Sequence, residues 1–242
     1  MIHKKLLFFF LLLILLTGCM YPSENLSQNQ VANDVQLELV QEAIDQYVAQ
    51  NDGRIPIYTK ENDTPIYQKY IIDFNLLKQK NLIQSVPGSA FENGGVYQYV
   101  LIDVETEPKV KVIDLRISDQ LRDIQQRLNI YLSDNNYPPF GEKIADGIYS
   151  LKHEELNLEA PPFVESPYST NNLPVLIDTN GELLIDYRAE LYQLLEGTEN
   201  NYQEGEDIRR LITDNHPIVP AYSIPYTLSE GEPEFAPYLE DK

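Results

Sequence analysis

The chain is 242 residues long and strongly acidic, with 38 aspartates and glutamates against 18 lysines and arginines and a net charge of −20 at neutral pH. This balance argues against nucleic acid or an anionic lipid surface as a partner, because both are bound through clusters of basic residues. The length allows one large hydrophobic core or two small ones. Cys19 is the single cysteine, so an intrachain disulfide is excluded.

A short apolar run close to the N-terminus indicates a signal peptide. Lys4 and Lys5 precede an uninterrupted apolar segment, Leu6–Leu16. This segment is too short to span a bilayer with ease, and it has the length of the hydrophobic region of a leader. Residues 16–19 then read Leu-Thr-Gly-Cys, which resembles a bacterial lipobox. The resemblance implies a leader of residues 1–18 and lipidation of Cys19, with an ordinary secretory signal or an uncleaved anchor as the alternatives.

Lipidation predicts where the protein works. Two acyl chains, such as palmitate, on Cys19 are what stable anchoring requires. They place the protein on the extracytoplasmic face of the cell membrane and leave no thiol for catalysis or for zinc. Residues 19–33 are rich in Asn, Gln and Ser and have no apolar period, which predicts a flexible tether.

Residues 34–117 and 118–187 resemble each other, and we interpret them as a tandem duplication. Each segment begins with apolar residues at helical spacing. The matching positions are Leu37, Val40, Ile44 and Tyr47 in the first segment and Leu121, Ile124, Leu128 and Tyr131 in the second. A turn with asparagine and proline follows each helix, at 51–56 and 134–138, and predicts where the helix ends.

The second half of each segment predicts a short helix and a β-hairpin. Asp73 and Ser150 are candidate N-caps of short helices near 74–80 and 150–156. The sequence Val-Leu-Ile-Asp occurs at 100–103 and again at 175–178, and a return strand follows each copy. In the second segment the Asn-Gly at 180–181 favours a tight hairpin. Each unit is therefore predicted to be a helix, a loop, a short helix and an antiparallel hairpin, which gives an α+β fold.

The C-terminal region, residues 188–228, predicts helices near 189–196 and 207–213 and then an extended segment punctuated by proline. The Asp-Asn-His-Pro at 214–217 is similar to the turns that end the earlier helices, and a truncated third copy is an open alternative. Residues 229–242 are acidic and contain two prolines, which predicts a disordered tail.

Pairs of aspartates recur in both units, Asp103 with Asp114 and Asp178 with Asp186. At matching ends of a hairpin such acids could bind a cation or act as an acid/base pair. The structural interpretation, which we favour, is that Asp103 and Asp178 bond backbone amides in turns. It also has Asp114 and Asp186 paired with two nearby arginines, Arg116 and Arg188.

Other signals of chemistry are weak, and no catalytic, cofactor or metal residue is predicted. His153 and His216 have no metal-ligand spacing, and surface positions are favoured for both. Residues 178–182 resemble the start of a calcium loop, but the glycine comes too early and a hairpin turn is favoured. Seven tyrosines fall at structural positions of the units and pack in the core or line a ligand cleft between the units. They are Tyr67, Tyr70, Tyr97, Tyr99, Tyr131, Tyr137 and Tyr168.

Two resemblances to known families follow from these stretches. The first unit resembles the soluble part of type II secretion pseudopilins in the order of Asn51–Pro56, Leu76-Leu77, Pro87, Phe91 and Gly95–Tyr99. The second unit lacks the Gly-x-Tyr-x-Tyr run. The stretches 16–22, 64–70 and 114–131 resemble the YphF-type lipoproteins of Gram-positive bacteria. That second resemblance implies a membrane address and, for some members, a label as transporter-associated binding proteins, without catalytic residues.

We therefore expect a non-catalytic binding or adaptor lipoprotein whose partner is an envelope protein or a small-molecule ligand. A transporter-associated solute-binding lipoprotein is the alternative, although hairpins rather than βαβ units count against its usual two-lobed architecture. A carboxylate-dependent envelope enzyme is the third and least favoured hypothesis.

Overall fold

The computed structural model describes residues 34–197, 202–237 and 239. The predicted leader 1–18, Cys19 and the tether 19–33 lie outside these residues. Among the helices that are described, we find none long and apolar enough to cross a membrane. The described chain is mixed, with α-helices and antiparallel hairpins, so the predicted α+β class is confirmed.

The first unit is a helix packed on a two-stranded hairpin. Helix α1 (Asp34–Gln50) buries Val40, Ala43, Ile44 and Tyr47, as its apolar spacing predicts. Two short helices follow, α2 (Ile66–Lys69) and α3 (Phe74–Gln79), and α3 begins at the predicted N-cap, where the Asp73 carboxylate accepts a hydrogen bond from the Leu76 amide. Strands β1 (Tyr97–Ile102) and β2 (Lys109–Asp114) then pair antiparallel.

Strand β1 is buried on both faces, and its alternation divides the surrounding core. Tyr97, Tyr99 and Leu101 pack with α1 and α3 in one apolar cluster. Val100 and Ile102 point the other way and pack with Val219 and Ala221 from the C-terminal region. The C-terminal region therefore covers the second face of the first hairpin.

The long helix α4 (Leu115–Asp134) begins three residues before the predicted start of the second unit at 118. Five strands follow it: β3 (Phe140–Ala145), β4 (Ile148–Leu151), β5 (Phe163–Glu165), β6 (Asn172–Asp178) and β7 (Leu183–Ile185). The strands pair in the order β3-β4-β6-β5, with β7 also paired to β6, and every ladder is antiparallel. The apolar face of α4 packs on this sheet in the larger core cluster. The predicted β6–β7 hairpin is confirmed.

The C-terminal region contains α5 (Arg188–Gly197), α6 (Arg210–Asn215) and the hairpin of β8 (Tyr226–Ser229) with β9 (Glu232–Phe235). The segment between α6 and β8 joins the two units. Its Pro217 carbonyl accepts from the Val112 amide of β2 at 3.0 Å, and its Tyr222 carbonyl accepts from the Ile185 amide of β7 at 2.8 Å. One extended segment thus bonds to the edges of both sheets.

Two local predictions are wrong. Ser150 does not begin a helix but lies in β4, where its hydroxyl oxygen accepts from the Glu142 amide, and a 3-10 turn follows only at His153–Leu156. Residues 226–235, part of which was predicted as a disordered tail, form the β8–β9 hairpin. Glu230 and Gly231 have φ of 52° and 89°, the left-handed conformation that a two-residue hairpin turn requires. The prediction of disorder relied on the acidic, proline-containing composition, which does not indicate this turn.

Candidate functional site

A groove of about 670 Å³ opens between the first unit and the C-terminal region. Helix α2 forms one wall, the β1–β2 turn forms the second, and α6 with the residues before it forms the third. This volume is within the usual range for ligand pockets. We call this site the tyrosine groove. Its lining residues are Ile66, Tyr67, Lys69, Tyr70, Ile102, Asp103, Val104, Glu105, Thr106, Asp207, Arg210 and Thr213.

The two tyrosines are held by the edge of strand β1. The Tyr70 carbonyl accepts from the Leu101 amide at 2.8 Å, and the next residue, Ile71, forms a bridge with Val100. Helix α2 is thereby fixed beside the sheet and presents Tyr67 and Tyr70 to the groove. Both rings have a cation near one face, because Arg209 lies 5.0 Å from the Tyr67 centroid and Lys69 lies 5.8 Å from that of Tyr70.

Helix α6 is fixed at both ends, which positions Arg210 over the groove. Before its first residue, the Arg209 guanidinium donates to the Asp207 carboxylate at 2.7–3.2 Å and to the Ser223 carbonyl at 3.2 Å. At its last turn, the Lys111 ammonium of β2 donates to the carbonyls of Thr213 and His216. A cation at a helix C-terminus is favourable because these carbonyls have no partner in the helix. Burial lowers the pKa of Lys111.

Charged side chains of both signs form the rim of the groove. Arg210 donates to Asp103 with 3.3 Å between Nη2 and Oδ2, and its Nε lies 3.6 Å from Oδ2 of Asp214. Lys109 also approaches Asp103, at 3.7 Å. The Lys69 ammonium donates to the Asn62 carbonyl at 2.9 Å. The groove therefore collects several of the chain's few cations.

Three of the four predicted aspartates have the structural roles that we favoured. Asp114 and Asp186 each accept from the backbone amide and the guanidinium of the arginine two residues later, at 2.9–3.1 Å through Nε. Asp178 accepts from the amides of Asn180 and Glu182 at 2.8 Å, so residues 178–182 form a hairpin turn.

Asp103 differs from that interpretation. Its carboxylate bonds no turn amide but pairs with Arg210 across the groove and with Lys109 of the same hairpin. Its carbonyl accepts from the Thr106 amide at 3.1 Å. Its φ of 52° places it in the left-handed region, which aspartate tolerates. Asp103 and Asp114 lie at opposite ends of the β1–β2 hairpin, about 20 Å apart at the usual rise per residue. This separation is too large for an acid/base pair.

The predicted histidines lie away from the groove's rim. His153 is about one-fifth exposed beside Glu154. His216 is half-buried, 4.9 Å from the ring of Tyr168, and burial lowers its pKa. Of the predicted tyrosines, Tyr97 and Tyr99 are core residues, Tyr137 is exposed, and only Tyr67 and Tyr70 line the groove. Within the described part of the chain, no group of three or more metal-binding side chains is arranged to hold an ion.

Arg209 is the functional neighbour that sequence reasoning missed. It is fully buried, and it joins the tyrosine groove to the C-terminal segment. Its sequence signal is Asp207-Ile208-Arg209, which has the same Asp-x-Arg spacing as Asp114–Arg116 and Asp186–Arg188, and it forms the same set of hydrogen bonds.

The described structure is thus an α+β protein of antiparallel hairpins with an open groove at the junction of its parts. Residues 33–114 match the model of the YphF family N-terminal domain. This match covers about a third of the chain and supports the similarity to YphF-type proteins. The chain matches no curated protein and no solved structure. The local likeness to pseudopilins stays a prediction.

Proposed function

We propose that this chain is a non-catalytic binding module that is anchored through Cys19 to the extracytoplasmic face of the cell membrane. The observation that carries the binding role is the tyrosine groove, in which two tyrosines and exchangeable charges line an open site of about 670 Å³. Ligand sites commonly combine aromatic walls with a few polar groups in this way. Its partner is an envelope protein or a small-molecule ligand.

The fate of the paired acids supports a role without catalysis. The carboxylates of Asp114 and Asp186 are 3% and 9% exposed and are engaged by Arg116 and Arg188. A catalytic acid or base must reach a substrate proton, and these two groups are directed into the protein instead. The anchor rests on the leader and on Cys19, which lie outside the described residues.

A transporter-associated solute-binding lipoprotein is the second candidate. The size of the groove supports this candidate. The architecture of the chain counts against it, because solute-binding lipoproteins usually have two α/β lobes with parallel sheets around a hinged cleft. Here the ladders of the described strands are antiparallel. The tyrosine groove is formed by a turn and two helices rather than by the ends of parallel strands.

We also propose that the two units arose by tandem duplication. An asparagine stands at or directly after the end of three helices, and its side-chain amide donates to the carbonyl four residues earlier. The distances are 2.7 to 2.9 Å at Asn51, Asn135 and Asn215. The repeated Asp-x-Arg motif supports the same origin. The extra strands β3, β4 and β5 of the second unit are then insertions.

Thermal unfolding of residues 20–242 against peptides, sugars, cell-wall fragments, amino acids and divalent metals tests the binding role. A ligand at about 100 times its dissociation constant adds about 2.7 kcal/mol of stability. Tyr70→Ala should abolish the shift, whereas Tyr137→Ala, at an exposed tyrosine outside the groove, should not. If the protein turns over a substrate, and this activity persists in both the Tyr70→Ala and the Tyr137→Ala variants, the proposal is contradicted.

Metabolic labelling with a fatty acid tests the anchor. The full chain should incorporate label and partition with membranes, and Cys19→Ser should do neither. Labelling of the Cys19→Ser protein would contradict lipidation at this residue.

A further inference from the structure

The cations at the rim of the tyrosine groove already surround one carboxylate. Asp103 contributes that carboxylate from the β1–β2 turn, and Arg210 and Lys109 approach it at 3.3 and 3.7 Å. The side chains of Arg210 and Lys109 are 54% and 41% exposed. The Asp103 side chain is 24% exposed, and pairs whose cation is largely exposed contribute on the order of 1 kcal/mol. Another carboxylate can therefore replace Asp103 at little cost.

The rest of the groove matches a short peptide. Ile66, Ile102 and Val104 supply apolar surface, and the two tyrosine rings supply flat aromatic surface. An acceptor for a peptide's amides or ammonium group is present too, on Glu105. A short peptide can use the cations, the acceptor and the apolar surface of the groove. It has a carboxylate at one end, N–H donors along its length and apolar side chains.

We infer that the tyrosine groove binds a short peptide through its free C-terminal carboxylate, which displaces Asp103 from Arg210 and Lys109. This inference rests on the proposed binding function and names the ligand class of the same site. Asp103 occupies the ligand's position when the groove is empty. Both cations approach the same oxygen, Oδ2 of Asp103.

A peptide that contains tryptophan is a direct probe, because the chain has 17 tyrosines but no tryptophan. The tripeptide Ala-Trp-Ala with a free carboxylate is compared with its C-terminal amide by the change in tryptophan fluorescence on binding. The free acid is expected to bind at least about tenfold more tightly than the amide, because the amide cannot form the charge-assisted hydrogen bond with Arg210. Equal affinities, or no binding of either peptide at millimolar concentration, would overturn the inference.

Two variants with opposite expected effects separate displacement from a merely structural role. Asp103→Asn removes the competing charge and should strengthen binding of the free acid about threefold to fivefold, as for one unit charge in a highly solvated site. Asparagine also tolerates the left-handed φ of 52°, so the turn is kept. Arg210→Gln should weaken binding about tenfold. Unchanged or weaker binding by Asp103→Asn would overturn the displacement.

The exposed Arg122–Asp119 pair of α4 is a matched control outside the groove. Arg122→Gln and Asp119→Asn should leave the affinity for the free acid unchanged, and an equal response there would overturn the assignment to this groove. Inorganic phosphate is the competing probe. If phosphate binds with the same response to Asp103→Asn and Arg210→Gln while the peptide does not bind, the peptide class is wrong but a binding function stands. Loss of all binding together with substrate turnover would instead contradict the proposed function.

Discussion

The guanidinium of Arg209 lies 5.0 Å from the centroid of the Tyr67 ring, and its side chain is only 1% exposed. The same group donates to the Asp207 carboxylate and to the Ser223 carbonyl. One buried cation therefore connects helix α2, the start of α6 and the segment that leads to β8. The shape of the tyrosine groove depends on this connection.

Replacing Arg209 with alanine is expected to lower the free energy of unfolding by about 3–5 kcal/mol, because it leaves partners of a buried charge without a counterpart. Chemical denaturation of the purified domain measures this change. Arg122→Ala, at an exposed arginine of α4, should change stability by no more than about 0.5 kcal/mol. A loss below 1 kcal/mol for Arg209→Ala would show that the buried pair does not organise the junction.

Local signals in the sequence predicted most of the elements, and the β3–β4 hairpin has a local signal as well. Apolar spacing predicted α1 and α4, and an Asn-Gly turn predicted the β6–β7 hairpin. The Asp146-Gly147 dipeptide, where Gly147 has a φ of 74°, is an equally good signal for the β3–β4 hairpin.

The site was harder to predict than the fold. Tyr67 and Tyr70 were already candidates for a cleft, but the pair of Arg210 with Asp103 joins residues 107 positions apart. No periodicity or turn signal reports such a contact. The Asp-x-Arg spacing at 207–209 predicts the local ion pair. It does not predict that Arg209 is buried against Tyr67.

Gly95→Ala is expected to destabilise the protein more than Gly141→Ala. A Cβ at position 95 would lie 2.1 Å from the backbone of Ser89, which cannot move without breaking its carbonyl's bond with the Tyr97 amide. At position 141 the nearest atom is the Ser150 hydroxyl, which can rotate away if it gives up its hydrogen bond from the Glu142 amide. We expect a loss of about 3 kcal/mol or more for the first change and about 1 kcal/mol for the second. Equal melting temperatures of the two variants would refute this difference.

Removing the hydroxyl of Tyr168 should not destabilise the protein. This oxygen is buried and has no hydrogen-bond partner within the described residues. Tyr168→Phe is therefore expected to be neutral or to stabilise by up to about 1 kcal/mol, because no bond is lost and a polar group leaves the core. Tyr187→Phe is the matched control: its hydroxyl donates to the Ala221 carbonyl at 2.9 Å, so its removal should cost about 1–2 kcal/mol. The reverse order in denaturant titrations would contradict the assignment.

His216 should make the protein less stable as the solution becomes acidic. Burial lowers the pKa of its imidazole below 6.5, while Glu190 opposes this shift and Lys111 reinforces it. The unfolded chain therefore binds a proton at this residue more readily than the folded one. The effect is absent well above pH 6.5 and appears as the pH falls through the unfolded pKa, with a slope of at most about 1.4 kcal/mol per pH unit.

His216→Phe keeps a ring against Tyr168 and removes the titration. The stability of this variant relative to the natural chain should rise between pH 7.5 and 5. A constant difference for His216→Phe over this range would show that the imidazole titrates equally in both states.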